Sequence, residues 1–503
     1  MACAALALAT CSTPPTSAVI GVPGERELFV EASEDIIEFH IKNVEPGKLA
    51  LDGLGRLSGI DTALTIKQSG NHVVLHRGND VRQFPAPPEH AIAEWGALTA
   101  NVLGAARALS PNVAALVPDQ LDEMVIDSSL AGLDPYSRYA RPELARERRA
   151  ARDGFAGIGV TLDIEESGVR IASVLPDTPA ATAGLVAGDR IVMLDGVPVA
   201  KLAADEIRRH LRGPADSRLQ IAVARNGLAT PVEIWVQRAN IVPESVTLQE
   251  EGGIAWLKLR TFNQQTAHSL AHLLRQAHRD LARNMRGVVL DLRDNPGGLL
   301  DQSVDVASLF LNGGDVVSTI GRNPQSWQHF TAGEKGGAEM LPLAVLVNGG
   351  SASASEIVAA ALQDAGRAVV IGTSSYGKGT VQQVLRTAND GELTVTWAQL
   401  ITPLGYQLNT HGVVPTLCTA GQEDSAAAAT RLLTGHAEPV AAALSKPRNA
   451  LDDEGWRALR ALCPPNRDKN PLDAQLATRL LTDAALYRRV LATFGPARVA
   501  ASR

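Results

Sequence analysis

Short apolar runs alternate with amphipathic stretches from Ile254 to about Leu417. Ile254–Leu259, Gly287–Leu292, Leu343–Val347 and Ala368–Ile371 are rich in Val and Leu, as strands buried on both faces of a parallel sheet are. Thr266–Ala282, Leu299–Leu309 and Ser355–Asp364 separate them with helical periodicity. That alternation predicts an α/β core with a mostly parallel sheet. From Gly154 to about Ala239 the pattern shortens to the strands Gly157–Leu162, Val169–Val174, Arg190–Leu194, Leu219–Ala224 and Val232–Gln237. Asp195-Gly196 predicts a turn and Asn226-Gly227 a tight hairpin, while Thr178–Gly184 and Ala203–Leu211 read as two helices. The result is a small β-rich domain.

The flanks are less regular. Ala63–Ile66 and Asn71–His76 alternate as short strands that the Pro-rich Phe84–Pro88 ends, and Ala91–Leu109 and Leu121–Leu130 are helical. The charged Arg141–Arg152 predicts a solvated helix or hinge, and the Ala- and Leu-rich tail from Glu423 reads as helical. The organisation expected is a leader over 1–25, a mixed, largely helical region over 26–152, the β-rich domain over 153–241, the α/β core over 242–420 and a helical tail over 421–503. The fold class is thus α/β multidomain with helical N- and C-terminal regions, and 503 residues are enough for about three units.

Composition removes some classes of function. Hydrophobic residues at 45% and charged residues at 20% suit a globular chain, not a disordered one. The 47 basic and 54 acidic side chains leave a charge of −7, so nucleic acid is not an expected partner. Cys3 and Cys11 lie in the small, apolar Met1–Thr13, which is similar to a secretory leader without its basic front. Leu8-Ala9-Thr10-Cys11 resembles a bacterial lipobox, with Thr10 departing from the usual small residue. Cys11 is therefore a candidate lipid anchor, and the cell envelope or periplasm the expected location. The alternative is an Ala-rich terminus that stays attached. In an exported chain Cys418 and Cys463 are a candidate disulfide, whereas in a reducing compartment both would be free and buried.

The chemistry concentrates around Ser353 and Lys378. Strand Leu343–Val347 runs through Asn348-Gly349-Gly350-Ser351-Ala352-Ser353 into a helix, so Ser353 stands at a helix N-terminus where free N–H groups can stabilise an oxyanion. Ser353 followed by Glu356 is also a capping box, which explains the pair without catalysis. Gly372-Thr373-Ser374-Ser375-Tyr376-Gly377-Lys378 nearly spells a P-loop, but Gly379 replaces the Mg²⁺-binding hydroxyl, which weakens a nucleotide-binding reading. Lys378 as a general base at neutral pH needs its pKa lowered by about three units, roughly 4 kcal/mol, which burial can supply. Gln382, four residues on, is placed to orient the amine. Read alone, Lys378 is a surface lysine in a glycine-rich turn. His268 and His272 share a helical spacing that zinc ligands use, but no acidic partner accompanies them and a solvated face explains both.

Gly349–Val358 with Ala361-Leu362-Gln363-Asp364, then Tyr376–Gln382, Leu290–Gly298 with its Asn295-Pro296-Gly297-Gly298 loop, Thr402–Gly405 and Gly412–Pro415 resemble the signature segments of the C-terminal processing peptidases, the tail-specific proteases with a Ser-Lys pair. The likeness covers about Leu133 to Leu417. It implies Ser353 as nucleophile, Lys378 as base and later acid, Gln382 as the group that orients the lysine, and an oxyanion hole from the N–H groups of Ala354 and Gly297, with Gly298 the second choice. It implies no metal, nucleotide or other cofactor. The β-rich domain resembles that family's PDZ module, with Gly157-Ile158-Gly159-Val160 as the loop that holds a terminal carboxylate. The partners implied are proteins with flexible, apolar C-termini. A catalytically silent PDZ scaffold is the alternative, against which the intact Ser353, Lys378 and Gln382 speak.

Overall fold

The computed structural model of the chain describes residues 22–165, 168–333, 341–434, 439–444 and 448–494. Cys3 and Cys11 lie outside the described residues. Two compact units form: residues up to Ala145 together with Gln382–Thr396, and Arg146–Val381 together with the chain from Trp397 onward. Residues 382–396 go with the first unit in this division, and their Leu393 and Val395 are buried among its Leu28, Ile36, Trp95 and Tyr139.

The first unit is more helical than its sequence pattern suggests. Glu25–Phe39 and Pro46–Leu54 are helices that the pattern did not mark, and Glu25–Phe39 packs on Ile92–Leu109. The strands Leu64–Ser69 and His72–Arg77 are joined by a third, Asp80–Pro85, in an antiparallel sheet. The third strand is mostly exposed, so no alternation announces it, and Pro85 occupies its last position, within the Phe84–Pro88 stretch expected to end the strands.

The second unit carries a six-stranded sheet in the order Val246–Glu251, Ile254–Leu259, Gly287–Asp291, Leu343–Val347, Val369–Gly372 and Leu417–Cys418. Only the first pairing is antiparallel. Successive side chains point to opposite faces. Val288, Leu290, Val345 and Val370 share one apolar cluster with Ile357 and Val358 of the helix Ala354–Asp364 and with Leu270 of Thr266–Leu281. Val289, Ala344, Leu346 and Ile371 point the other way, onto Leu432 of Ala426–Thr434 and Leu476 and Leu480 of Pro471–Thr482. The tail after residue 420 is therefore not an appendage: it supplies one helical layer of an α/β/α sandwich.

The β-rich domain forms a sheet ordered Val232–Gln237, Arg218–Ala224, Arg190–Leu194, Gly168–Val174 and Val160–Glu165. Asp195 and Gly196 both have positive φ, as a tight hairpin turn requires. Asn226-Gly227 instead sits inside the longer loop 225–231. The stretch Gly157–Leu162 is split, because Phe155–Gly157 pairs with Ala239–Ile241 and a separate strand starts at Val160. Leu480→Ala is expected to cost about 3 kcal/mol in urea unfolding, the usual range for a fully buried leucine; a loss under about 1 kcal/mol would show the tail to be peripheral.

Candidate active site

The strand Leu343–Val347 is buried throughout and delivers its loop to the N-terminus of Ala354–Asp364. Ser353, at the junction, has φ 56° and ψ −116°, a conformation that L-residues avoid and that costs about 1–3 kcal/mol. The surrounding loop holds it there. The Asn295 carbonyl accepts Ala352 N–H and Ser355 Oγ, each at 3.0 Å. Ser351 Oγ donates to the Leu292 carbonyl at 2.9 Å and accepts Asn348 N–H at 3.0 Å. Ser351 and Ser355 are fully buried braces, while Ser353 between them is partly exposed.

Ala354 N–H lies in the first helical turn, where amides have no intrahelical acceptor. Gly297 approaches it closely: a Cβ on Gly297 would stand 2.9 Å from Ala354 N and 2.9 Å from Ser353 Cβ. Its φ of +98° also favours glycine. The Gly297 amide donates to Asn295 Oδ1 at 2.9 Å. An Asn with its acceptor two residues ahead of a glycine amide is an Asx-turn, a signal already present in Asn295-Pro296-Gly297. Gly297 keeps space open in front of Ala354 N–H, and Gly298 is the loop's other candidate donor.

Glu356 joins the serine segment to the lysine segment. It is completely buried, and its Oε2 accepts Ser353 N–H at 2.7 Å and Lys378 N–H at 2.9 Å. Its Oε1 accepts Gly377 N–H at 2.7 Å and the Ser375 hydroxyl. Burial pushes the Glu356 carboxyl up from its usual range, and these donors pull it back. Glu356 thus caps the helix by accepting from the Ser353 amide, and it also reaches beyond the helix. Tyr376 N–H adds a second tie, to the Ser351 carbonyl at 2.9 Å. Lys378 is part-buried. Gly379 has no alternative residue, since a Cβ there would lie 1.7 Å from Asn409 N.

Within this unit the fold therefore brings Ser353, Ala354, Gly297 and the backbone of Lys378 together around Glu356. Gln382 belongs to the other unit, where its Nε2 reaches Thr396 Oγ1 at 3.4 Å. In the β-rich domain, Ile158 is a core residue whose carbonyl accepts Ala180 N–H at 2.8 Å, and the Gly159 carbonyl accepts Leu175 N–H at 2.9 Å. Gly159 has φ +85°, and a Cβ on it would stand 2.4 Å from Thr178 Cβ. Val160–Glu165 follows as an edge strand of its sheet, the arrangement that strand-adding peptide binders use. Cys418 and Cys463 form a disulfide with Cα atoms 5.9 Å apart. His268 and His272 are exposed on Thr266–Leu281.

This sandwich carries a serine at a strained strand-to-helix junction, with a small β domain ahead of it in the chain. The pattern of peptidase family S41 matches residues 253–418, and that of the PDZ domain matches 170–225. The chain is 39% identical over 303 residues to the carboxy-terminal-processing protease of Bartonella bacilliformis, covering 59% of this chain and 70% of that one. It is 33% identical over 299 residues to the carboxyl-terminal-processing protease of a Synechocystis species, covering 58% and 69%. Among solved structures, a photosystem II D1 C-terminal processing protease aligns at 26% identity with a TM-score of 0.39, covering 78% of this chain and 92% of that one. The chain belongs to the carboxy-terminal-processing proteases of peptidase family S41.

Glu356→Gln keeps the side-chain volume but turns an –NH₂ toward amides that need an acceptor. A loss of about 2–4 kcal/mol in urea unfolding is expected, from one or two buried donors left unpaired. Stability within about 0.5 kcal/mol of wild type would remove the carboxylate from its central place.

Proposed function

We propose that this protein is a serine endopeptidase that cleaves proteins near their C-termini through a Ser353–Lys378 acyl-enzyme mechanism. The observation that carries the reading is the strained Ser353 bound, through one buried carboxylate, to the backbone of Lys378. Neutral Lys378 Nζ takes the Ser353 hydroxyl proton as Oγ adds to the scissile carbonyl. The oxyanion develops in the space that Gly297 leaves clear before Ala354 N–H, with Gly298 as second donor. Collapse breaks the C–N bond, and the Lys378 ammonium returns its proton to the leaving amine. Water, deprotonated by the same amine, then releases the acyl group.

The PDZ domain recruits the substrate. Gly157-Ile158-Gly159-Val160 receives the terminal carboxylate, and a flexible, apolar tail adds to the edge strand Val160–Glu165. The cell envelope is the proposed location, with Cys11 as a lipid anchor. The Cys418–Cys463 disulfide supports that location, because such bonds persist in oxidising compartments.

Digestion of an unfolded protein by wild type, Ser353→Ala and Lys378→Ala tests the chemistry. Each variant is expected to lose activity by about a thousandfold or more while keeping its unfolding profile. Wild-type turnover in either folded variant would overturn the mechanism, and an inert wild type would favour a silent scaffold. Amidating the C-terminus of a peptide substrate is expected to raise KM about tenfold with kcat little changed, as loss of a carboxylate contact predicts; an unchanged KM would exclude carboxylate recognition.

A further inference from the structure

The chain that follows the helix Asp453–Leu462 touches all three loops of the site. Arg460, near the end of that helix, donates from Nη1 to the His411 carbonyl at 2.5 Å and from Nη2 to the Ser375 carbonyl at 3.0 Å. Ser375 in turn donates its hydroxyl to Glu356. Six residues beyond Arg460, the Asn466 carbonyl accepts Gly349 N–H at 2.8 Å and Thr373 Oγ1 at 2.9 Å, and Asn466 N–H donates back to Thr373 Oγ1 at 3.1 Å. The Arg467 carbonyl accepts Asn348 Nδ2 at 3.1 Å. Lys469 pairs with Asp294, and Asp473 with Arg293, at the start of the glycine loop. A Cβ on Gly349 would meet the Asn466 backbone at 3.1–3.2 Å, so the serine loop and this segment are in direct contact.

Cys463 lies between Arg460 and Asn466. Its partner Cys418 is opposite Gly372 in the sheet, at the start of the lysine loop. One covalent bond thus ties the segment to Leu417–Cys418, the strand paired with the end of Val369–Gly372 from which the Lys378 loop leaves. At its other end, Trp456 stacks on His411 with ring centroids 4.8 Å apart. The peptidase match ends at residue 418, so it assigns nothing to this segment.

We propose that residues 460–467, latched by the Cys418–Cys463 disulfide, are a positioning element for Ser353 and Lys378, and that turnover depends on the oxidation state of this cysteine pair. The proposal rests on the Ser353–Lys378 reading. Two electrons from a dithiol reduce the sulfur pair to two thiols and leave the dithiol as its own disulfide. The segment then keeps only hydrogen bonds and ion pairs to the loops, which can shift against each other. A shift of about 1 Å between reacting groups can cost up to a hundredfold in rate. Because the segment contacts the loops and not the PDZ domain's carboxylate loop, the loss falls on kcat.

The full-length protein is assayed oxidised, after reduction with dithiothreitol and alkylation of both cysteines, and as Thr373→Val and Thr373→Ser. Reduction and Thr373→Val are each expected to lower kcat about tenfold or more with KM within about twofold. Thr373→Ser, which keeps the hydroxyl, is expected to stay near wild type, and reoxidation of unalkylated protein to restore the rate. Thr373→Val keeps the disulfide, so unfolding of the reduced protein cannot mimic its effect. The proposal is overturned if reduced protein, shown by mass to carry alkyl groups at Cys418 and Cys463, or folded Thr373→Val keeps kcat within about twofold. Activity in oxidised Ser353→Ala would instead sink the site reading beneath it.

Discussion

The carboxylate of Glu356 is the interaction on which the site's geometry depends. A buried charge costs several kcal/mol unless hydrogen-bonded, and a carboxylate that meets several fixed donors recovers that cost through all of them together. Here those donors come from two loops that are distant in sequence, one carrying Ser353 and the other Lys378. Neither loop can move without leaving the charge under-solvated. The sheet supplies the rigid base: adjacent parallel strands, Leu343–Val347 and Val369–Gly372, end beside each other and launch both loops from the same edge.

Strain at Ser353 and crowding at Gly297 and Gly379 follow from the same compactness. The backbone passes close enough at both glycines that a methyl group would strike main-chain atoms. A residue held at φ 56° persists because its neighbours over-determine it, here through Ser351, Ser355 and Asn295 on one side and Glu356 on the other. Polar side chains that read as ordinary loop composition therefore carry much of the architecture.

Four strands of the sheet, Ile254–Leu259, Gly287–Asp291, Leu343–Val347 and Val369–Gly372, were legible almost residue by residue, because burial on both faces demands a Val/Leu-rich run; Val246–Glu251 and the two-residue Leu417–Cys418 were not. Helix Thr266–Leu281 was equally plain from its leucine spacing. What escaped depends on partners far away in sequence. Asp80–Pro85 is a strand because His72–Arg77 offers it a ladder, not because its own residues alternate. Leu393 and Val395 look like core residues wherever they are placed, and only packing assigns them to the N-terminal unit. At the site, Ser353 and Lys378 stood out through their segments. The turn at Gly297 is announced locally by Asn295, whereas the tail's contacts with the loops run partly through the backbone of Asn466 and Arg467, which side-chain identity does not report.

The pairing of Phe155–Gly157 with Ala239–Ile241 brings the two ends of the PDZ domain side by side. A module whose ends meet in one short ladder is topologically a closed insertion, joined to its host at a single point. Such a module can be exchanged for another of different pocket shape, or lost, while the host sheet keeps its strand order. The module and the sheet can then vary separately, the one in the shape of its surface and the other in its packing.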